Sequence, residues 1–318
     1  MQRSDPQMFG FMLTEQFSMI AFTAALEPLR LANRATGRKL YDWLLFSEDG
    51  KTAEASNGVR VGVDHGFREA ESLDAVVVCS GVDVQQLDHR SLIAVVRKLV
   101  KFGAAPGAVC TGAYVLAKAG LLDGRRCTIH WENRPGLQAD FPDLDVGEDL
   151  FEIDGDRFTC AGGVAAADMM LSLIKRDHGE VVATAVTDQL ILHRVREASE
   201  RQRMDMRTRL GVADPKLLRV IALMERAIDR PQTMEEFARG VGVSPRQLER
   251  LFLKHLGTSP NRHYIKIRLD HACQLLRQTR MPILDIAMAS GFSSASYFSQ
   301  SYLDHFGHTP SNERKAAV

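Results

Sequence analysis

The run Phe237-Ala238-Arg239-Gly240-Val241-Gly242-Val243-Ser244-Pro245-Arg246-Gln247 writes a helix end, a turn and a new helix start in succession. Gly242 supplies a position where positive φ is tolerated, Ser244 is a helix cap, Pro245 suits the first helical position, and Gln247 stands where the reciprocal cap contact forms. Thr233, three residues before Glu236, is a capping box for the preceding helix. The pattern then returns. Residues 237–244 align with Ile286-Ala287-Met288-Ala289-Ser290-Gly291-Phe292-Ser293 at an offset of 49, and Leu248, Phe252, Gly257 and Pro260 match Phe298, Tyr302, Gly307 and Pro310 at an offset of 50. One residue has been added at the turn. In the second copy Pro282 opens the first helix, Gly291 makes the turn, and Ser293 or Ser294 caps the second helix. A repeat that keeps apolar and glycine positions at this spacing marks two copies of one unit, here a helix-turn-helix whose second helix fits a DNA major groove.

Charge supports that partner. The chain of 318 residues is formally neutral, yet residues 211–318 carry 15 Lys+Arg against 10 Asp+Glu while residues 1–210 carry 25 against 30. One half is basic and the other acidic, as expected when only one of them meets a polyanion. Composition, 45% hydrophobic and 25% charged, is that of a globular protein long enough for two domains. No stretch has the length of a membrane span, and the N-terminal residues show no signal-peptide pattern, so a cytoplasmic protein is expected. The five cysteines, Cys79, Cys110, Cys127, Cys160 and Cys273, are scattered and mostly sit in apolar runs, which argues for thiols in a reducing compartment. Neither a metal site nor a cofactor is signalled.

Upstream, apolar runs alternate with helical patterns. Met8–Leu13, Tyr41–Phe46, Ala75–Cys79, Ala105–Cys110 and Phe158–Cys160 read as strands, with helices over Ser18–Arg34, Ser91–Phe102, Gly112–Ala119 and a stretch reaching Ile174. Alternation of this kind implies an α/β sandwich around a largely parallel sheet. Domain limits are expected at 1–190 for the α/β part, 191–215 for a charged helical linker rich in arginine, and 216–318 for the all-helical part.

Cys110-Thr111-Gly112 lies between a buried strand and a helix, the arrangement of a nucleophile elbow in which a strained turn lifts the side chain above the sheet and the helix start lowers its pKa. His130, Trp131 and Glu132 follow twenty residues later, offering a base, an aromatic wall and a carboxylate. On the helical side, Arg246, Glu249 and Arg250 flank Leu248 opposite the apolar Leu251-Phe252 stripe, and the resemblance of this unit to a DNA-binding family implies that they face base edges, with Ala295, Ser296, Ser299 and Gln300 doing the same from the second copy. Arginine pairs bidentately with guanine whereas serine and alanine read weakly, so the first helix should carry more of the specificity. Lys254, Arg262 and Arg268 are assigned to phosphates.

These motifs resemble two known families. Residues 217–315, with Gly291-Phe292-Ser293-Ser294, Tyr297-Phe298 and Phe306-Gly307-His308-Thr309-Pro310, resemble the DNA-binding domain of the AraC/XylS family. Cys110-Thr111-Gly112, the run Leu116–Gly124 and Thr128-Ile129-His130-Trp131 resemble the PfpI-like group of the class I glutamine amidotransferase superfamily. Together the whole chain is similar to GlxA-type AraC-family regulators. The resemblance implies a flavodoxin-like parallel-sheet sandwich followed by an all-α domain with two helix-turn-helix motifs. It implies a transcriptional regulator, by resemblance an activator, with promoter DNA half-sites, RNA polymerase, a second copy of itself and a small-molecule effector as partners, and no membrane. A small nitrogenous metabolite is the implied effector, with Cys110, Thr111, His130, Trp131 and Glu132 as its contacts and amino-acid or quaternary-amine catabolism as the process governed. Catalytic members of the superfamily support the cysteine with an acidic residue on the first helix, whereas ungapped matching puts Ala21 there, between Glu15 and Glu27. A non-catalytic sensor is therefore expected; the alternative is a PfpI-like cysteine hydrolase or amidase fused to a DNA reader.

Overall fold

The five apolar runs become the middle of one sheet. The computed structural model describes residues 5–316, and the chain divides after Gln202 into two compact units. The first begins β1 (Gln7–Leu13), α1 (Met19–Thr36), β2 (Tyr41–Ser47), a small hairpin β3 (Thr52–Glu54) and β4 (Arg60–Gly62), β5 (His65–Gly66) and β6 (Ala75–Ser80). It continues through α2 (Arg90–Lys101), β7 (Ala105–Cys110), α3 (Gly112–Lys118), β8 (Arg126–Cys127), α4 (Arg134–Asp140), β9 (Asp145–Val146), β10 (Phe151–Asp154), β11 (Arg157–Cys160), α5 (Ala165–His178) and α6 (Glu180–Gln189).

The main sheet runs in the order β10-β11-β7-β6-β1-β2-β5, parallel throughout except for the β10–β11 pair. Period-two alternation sends Phe9, Phe11, Leu13, Val77 and Cys79 to one face, under α1 and α5, and Met12, Val76 and Val78 to the other, under α2 and α3. Burial on both faces explains why β6 reads as an unbroken apolar run. The expected flavodoxin-like architecture is present. Strands β3, β4, β5, β8 and β9 are two or three residues long and partly exposed, too short for periodicity to announce them.

The expected helical linker over 191–215 differs in form. α6 stops at Gln189, Ile191 takes φ +56°, and the chain to Gln202 runs without helix along the first unit. Its backbone bonds go sideways instead: the Leu150 N–H donates to the carbonyls of Ala198 and Glu200, 3.0 Å each, and Arg201 bridges to Asp149. Before α8 begins at Pro215, only α7 (Met206–Leu210) is helical in this stretch, and it lies beyond the division at Gln202.

The second unit continues with α8 (Pro215–Arg226), α9 (Met234–Gly240), α10 (Pro245–Leu256), the long α11 (Pro260–Gln278), α12 (Ile283–Ala289), α13 (Ala295–Phe306) and α14 (Pro310–Ala316). Both capping boxes read from the sequence, Thr233/Glu236 and Ser244/Gln247, are formed, and Gly242 and Gly291 have φ of +67° and +75°. Of the two serines offered for the second copy, Ser294 is the cap, accepting from the Tyr297 N–H at 3.2 Å. Phe237, Leu248, Phe252 and Tyr264 centre the first apolar cluster; Phe292, Phe298, Tyr302 and Phe306 meet in succession, ring against tilted or edge-on ring, in the second.

Candidate nucleic-acid interface and candidate effector site

On α10, Leu248 and Phe252 point inward while Arg246, Glu249, Arg250, Leu253 and Lys254 are exposed. Spacing of three and four residues puts these five on one stripe of the helix. α13 repeats the arrangement: Phe298 and Tyr302 are buried, and Ser296, Gln300, Leu303 and Asp304 are exposed with Ser299 half-buried. Ala295 is exposed at the helix start, and the Gln300 amide donates to Asp304 at 2.7 Å. Arg262, in the first turn of α11, is exposed. Tyr297, half exposed beside the stripe, was not singled out by sequence reasoning because an aromatic residue in a helix reads as core.

Arg268 does not belong with the phosphate-binding residues. It is 8% exposed, its Nε donates to the Ser290 carbonyl at 2.9 Å and its Nη2 to the Gly291 carbonyl, and the guanidinium lies 4.2 Å from the centre of the Phe292 ring. These are the two carbonyls of the second helix-turn-helix turn. The residue fastens that turn, and a single sequence gives no sign that one arginine of a basic helix faces inward.

In the first unit, β7 delivers Cys110 to the carboxyl edge of the sheet with φ +58°, the strained geometry expected of an elbow. Gly162 presses against it: a Cβ there would stand 2.7 Å from the Cys110 Cβ. The electrostatics run opposite to the sequence expectation. Burial pushes the thiol up to about 11, aided by the Glu132 carboxylate, and outweighs the Thr111 amide and the Ser18 hydroxyl that favour the thiolate. Ser18, the cap of α1, is thus the first-helix residue at the thiol. Ala21 is fully buried, Glu15 accepts the Glu54 N–H at 3.4 Å, and Glu27 pairs with Arg30. Ser18 announced itself in the sequence only as a helix start.

Thr111 turns away from any ligand. It is 2% exposed and its hydroxyl donates to the Gly81 carbonyl at 2.7 Å, so its side chain fixes the loop after β6. His130 reaches the elbow through backbone, its N–H donating to the Cys110 carbonyl at 3.4 Å. Burial lowers its imidazole pKa despite Glu132, whose carboxylate is 3.8 Å from Nδ1. A thiol whose pKa is raised and an imidazole whose pKa is lowered do not make the ion pair of an activated cysteine. Trp131 tilts against the His130 ring at 5.7 Å and is half-buried, with Glu132 exposed next to it. Among the described residues no cluster of histidine, cysteine and carboxylates suits a metal ion, and no helix is long and apolar enough to cross a membrane.

With this geometry in place, comparison with known proteins is specific. Residues 11–176 match the DJ-1/PfpI family and residues 237–316 a helix-turn-helix domain. The HTH-type transcriptional regulator GbdR of Pseudomonas aeruginosa is 43% identical across 99% of this chain and 86% of its own. The HTH-type transcriptional regulator GlxA of Rhizobium meliloti is 40% identical across 97% of this chain and 96% of its own. Among solved structures, an AraC family transcriptional regulator from Pseudomonas putida superposes with a TM-score of 0.55 at 30% identity, covering 58% of this chain and all of that one.

Proposed function

The chain belongs to the DJ-1/PfpI family and is a DNA-binding HTH-type transcriptional regulator of the GlxA type, and from that premise we propose that its α/β unit senses a small molecule at the Cys110 elbow. The observation that carries this reading is the elbow itself, which keeps the strained backbone of a nucleophile while burial holds the thiol protonated. Cys110, His130, Trp131 and Glu132 offer contacts for the effector; Thr111 contributes backbone only. Trp131 and Glu132 side by side supply an aromatic face and a carboxylate, which suits a cationic nitrogen, so a small nitrogenous metabolite is the proposed effector and catabolism of amino acids or quaternary amines the proposed process. A cytoplasmic homodimer activating RNA polymerase at paired half-sites completes the proposal. Within it Arg246, Glu249 and Arg250 address base edges, Lys254 and Arg262 address phosphates, and Ala295, Ser296, Ser299 and Gln300 line the second groove.

A thermal-shift screen of amino acids and methylated amines tests the sensor. A true effector at a hundred times its Kd stabilises the protein by about 2.7 kcal/mol, and Trp131→Ala should abolish the shift; a screen without a hit removes the nitrogenous effector. The strained φ of Cys110 favours a second reading, a hydrolase or amidase. Two measurements separate them. For a sensor, iodoacetamide labelling of Cys110 is slow near neutrality and climbs as pH approaches the thiol's value of about 11. Turnover of a test amide or ester, lost in Cys110→Ala, would establish the enzyme instead.

A further inference from the structure

The segment 191–202 has no part in the elbow, yet it grips the two walls that form it. One grip is on the wall that carries His130. The Gln202 amide nitrogen lies 2.9 Å from Thr128 Oγ1, 3.0 Å from the Ile129 carbonyl and 3.0 Å from the Asp149 carbonyl. Ile129 immediately precedes His130, whose N–H bonds Cys110. The other grip is on α5, which starts just after Gly162 and Gly163. Arg196 forks onto Asp168 in the first turn of α5, with Nε and Nη2 at 2.9 and 2.7 Å from Oδ2, while its own N–H donates to Oδ1 at 2.8 Å. Asp168 is 3% exposed, so the fork is the pairing that a buried carboxylate requires. Val195, just before the Arg196 grip, and Ala198, between the two grips, rest on the core.

The Gln202 grip is unevenly satisfied. Two amide protons face three acceptors, and Gln202 Oε1 is buried without a hydrogen-bond partner among the described residues. A group held this way re-pairs when its surroundings shift, because an unsatisfied buried acceptor gains from any new donor. Gln202 is also the last residue of the first unit, directly preceding the helical unit in the chain. A ligand that displaces the 128–130 wall or the start of α5 therefore acts on the residue from which the DNA-binding unit departs.

We propose that residues 191–202 are the coupling strap of this regulator, with Gln202 and Arg196 as positioning residues that transmit the state of the Cys110 elbow to the DNA-binding unit. The proposal rests on the elbow being the sensing site, and reciprocity of coupling allows it to be tested from the DNA side without knowing the effector. The probe is a duplex selected by the full-length chain from a random-sequence pool. Hydrogen exchange is followed in peptides covering 126–132 and 160–170, with and without that duplex. In the parent chain DNA should change exchange in both peptides by about fivefold or more, the lower end of ordinary allosteric coupling. Gln202→Ala should erase the change at 126–132. Gln202→Glu, which sets a carboxylate against three acceptors, should erase it as well and raise exchange there without DNA, whereas Arg201→Ala at the exposed neighbouring side chain should leave it intact. No DNA-dependent change in the parent chain, or an unaltered change in both Gln202 variants, overturns the strap. A thermal-shift screen without a hit would instead remove the effector reading and leave this result standing.

Discussion

The second helices of the two helix-turn-helix units present the same five places, all exposed except the half-buried Ser299, and fill four of them differently. α10 presents Arg246, Glu249, Arg250, Leu253 and Lys254; fifty residues on, α13 presents Ser296, Ser299, Gln300, Leu303 and Asp304. Inward positions correspond in kind, Leu248 and Phe252 with Phe298 and Tyr302, and both helices end at a glycine in the left-handed region, Gly257 and Gly307. What packs has been kept in kind through the repeat, and four of the five outward places have changed, Leu253 and Leu303 being the exception. Three cations on one stripe can pair with phosphates and guanine edges; a stripe of serines whose glutamine is tied to an aspartate cannot do so in the same way. One scaffold thus yields a stripe with three cations and a stripe with none.

Support for the two turns differs just as sharply, and the largest expected effect tests it. A Cβ at Gly242 would meet nothing within 4 Å, whereas one at Gly291 would stand 2.3 Å from the Ile228 carbonyl oxygen and 2.5 Å from Pro231 Cγ. Both positions have positive φ, so Gly242→Ala should cost only the backbone strain of about 1–2 kcal/mol. Gly291→Ala adds a clash with main chain that cannot swing aside, for a total of about 3 kcal/mol or more. Urea unfolding followed by hydrogen exchange in the 283–306 peptides reads the difference. Equal losses at the two glycines would show the turns to be equivalent.

Next in size is Arg268. Replacing it by Ala strips the Ser290 and Gly291 carbonyls of their donors and the Phe292 ring of its cover, at a cost of about 2–4 kcal/mol confined to the second helix-turn-helix. Arg268→Lys should rescue little, since an ammonium cannot fork between two carbonyls and stack on the ring together. The salt dependence of DNA binding by Arg268→Lys should keep the parent slope, because a buried cation holding carbonyls releases no counterions from DNA. A slope lower by about 1 would return the residue to the phosphate contacts.

Arg268 also marks how far the sequence was readable. The five middle strands of the sheet, the helix-turn-helix repeat and its caps follow from local rules: period, glycine at positive φ, serine before proline. The same rules place Cys110 at its elbow. They do not say which way a side chain turns once the chain has folded. Thr111 spends its hydroxyl on Gly81, Ser18 approaches the thiol from a helix ninety residues away, and burial reverses the pKa shift that a helix start alone would give. Each depends on contacts between segments distant in the chain. The strap at 191–202 was legible only as charge, because what fixes it is a buried aspartate on another helix.

The readers themselves come third. Arg246→Ala or Arg250→Ala should cost about 1–3 kcal/mol at one base position of the selected duplex, measured by competition with single-base variants. Ser296→Ala and Ser299→Ala should stay well below this and act on all variants alike. Uniform loss from Arg246→Ala and Arg250→Ala would instead make α10 a phosphate anchor. Specificity in α13 would invert the comparison.

The smallest effect separates the two helix starts. Ser244 and Gln247 form a reciprocal box, with the Gln247 N–H on Ser244 Oγ at 3.3 Å and the Ser244 N–H on Gln247 Oε1 at 2.8 Å. Ser294 accepts from the Tyr297 N–H at 3.2 Å, but the residue three on is tyrosine and returns nothing to the cap. Loss of a serine cap costs on the order of 0.5–2 kcal/mol. Ser244→Ala, which also frees Gln247 from its geometry, belongs near the top of that range, and Ser294→Ala near the bottom. Exchange at the first turns of α10 and α13 measures each locally. On the proposal that the α10 arginines address base edges, fraying of its first turn would displace Arg246 most directly, and Ser244→Ala should therefore blunt base discrimination as well as stability.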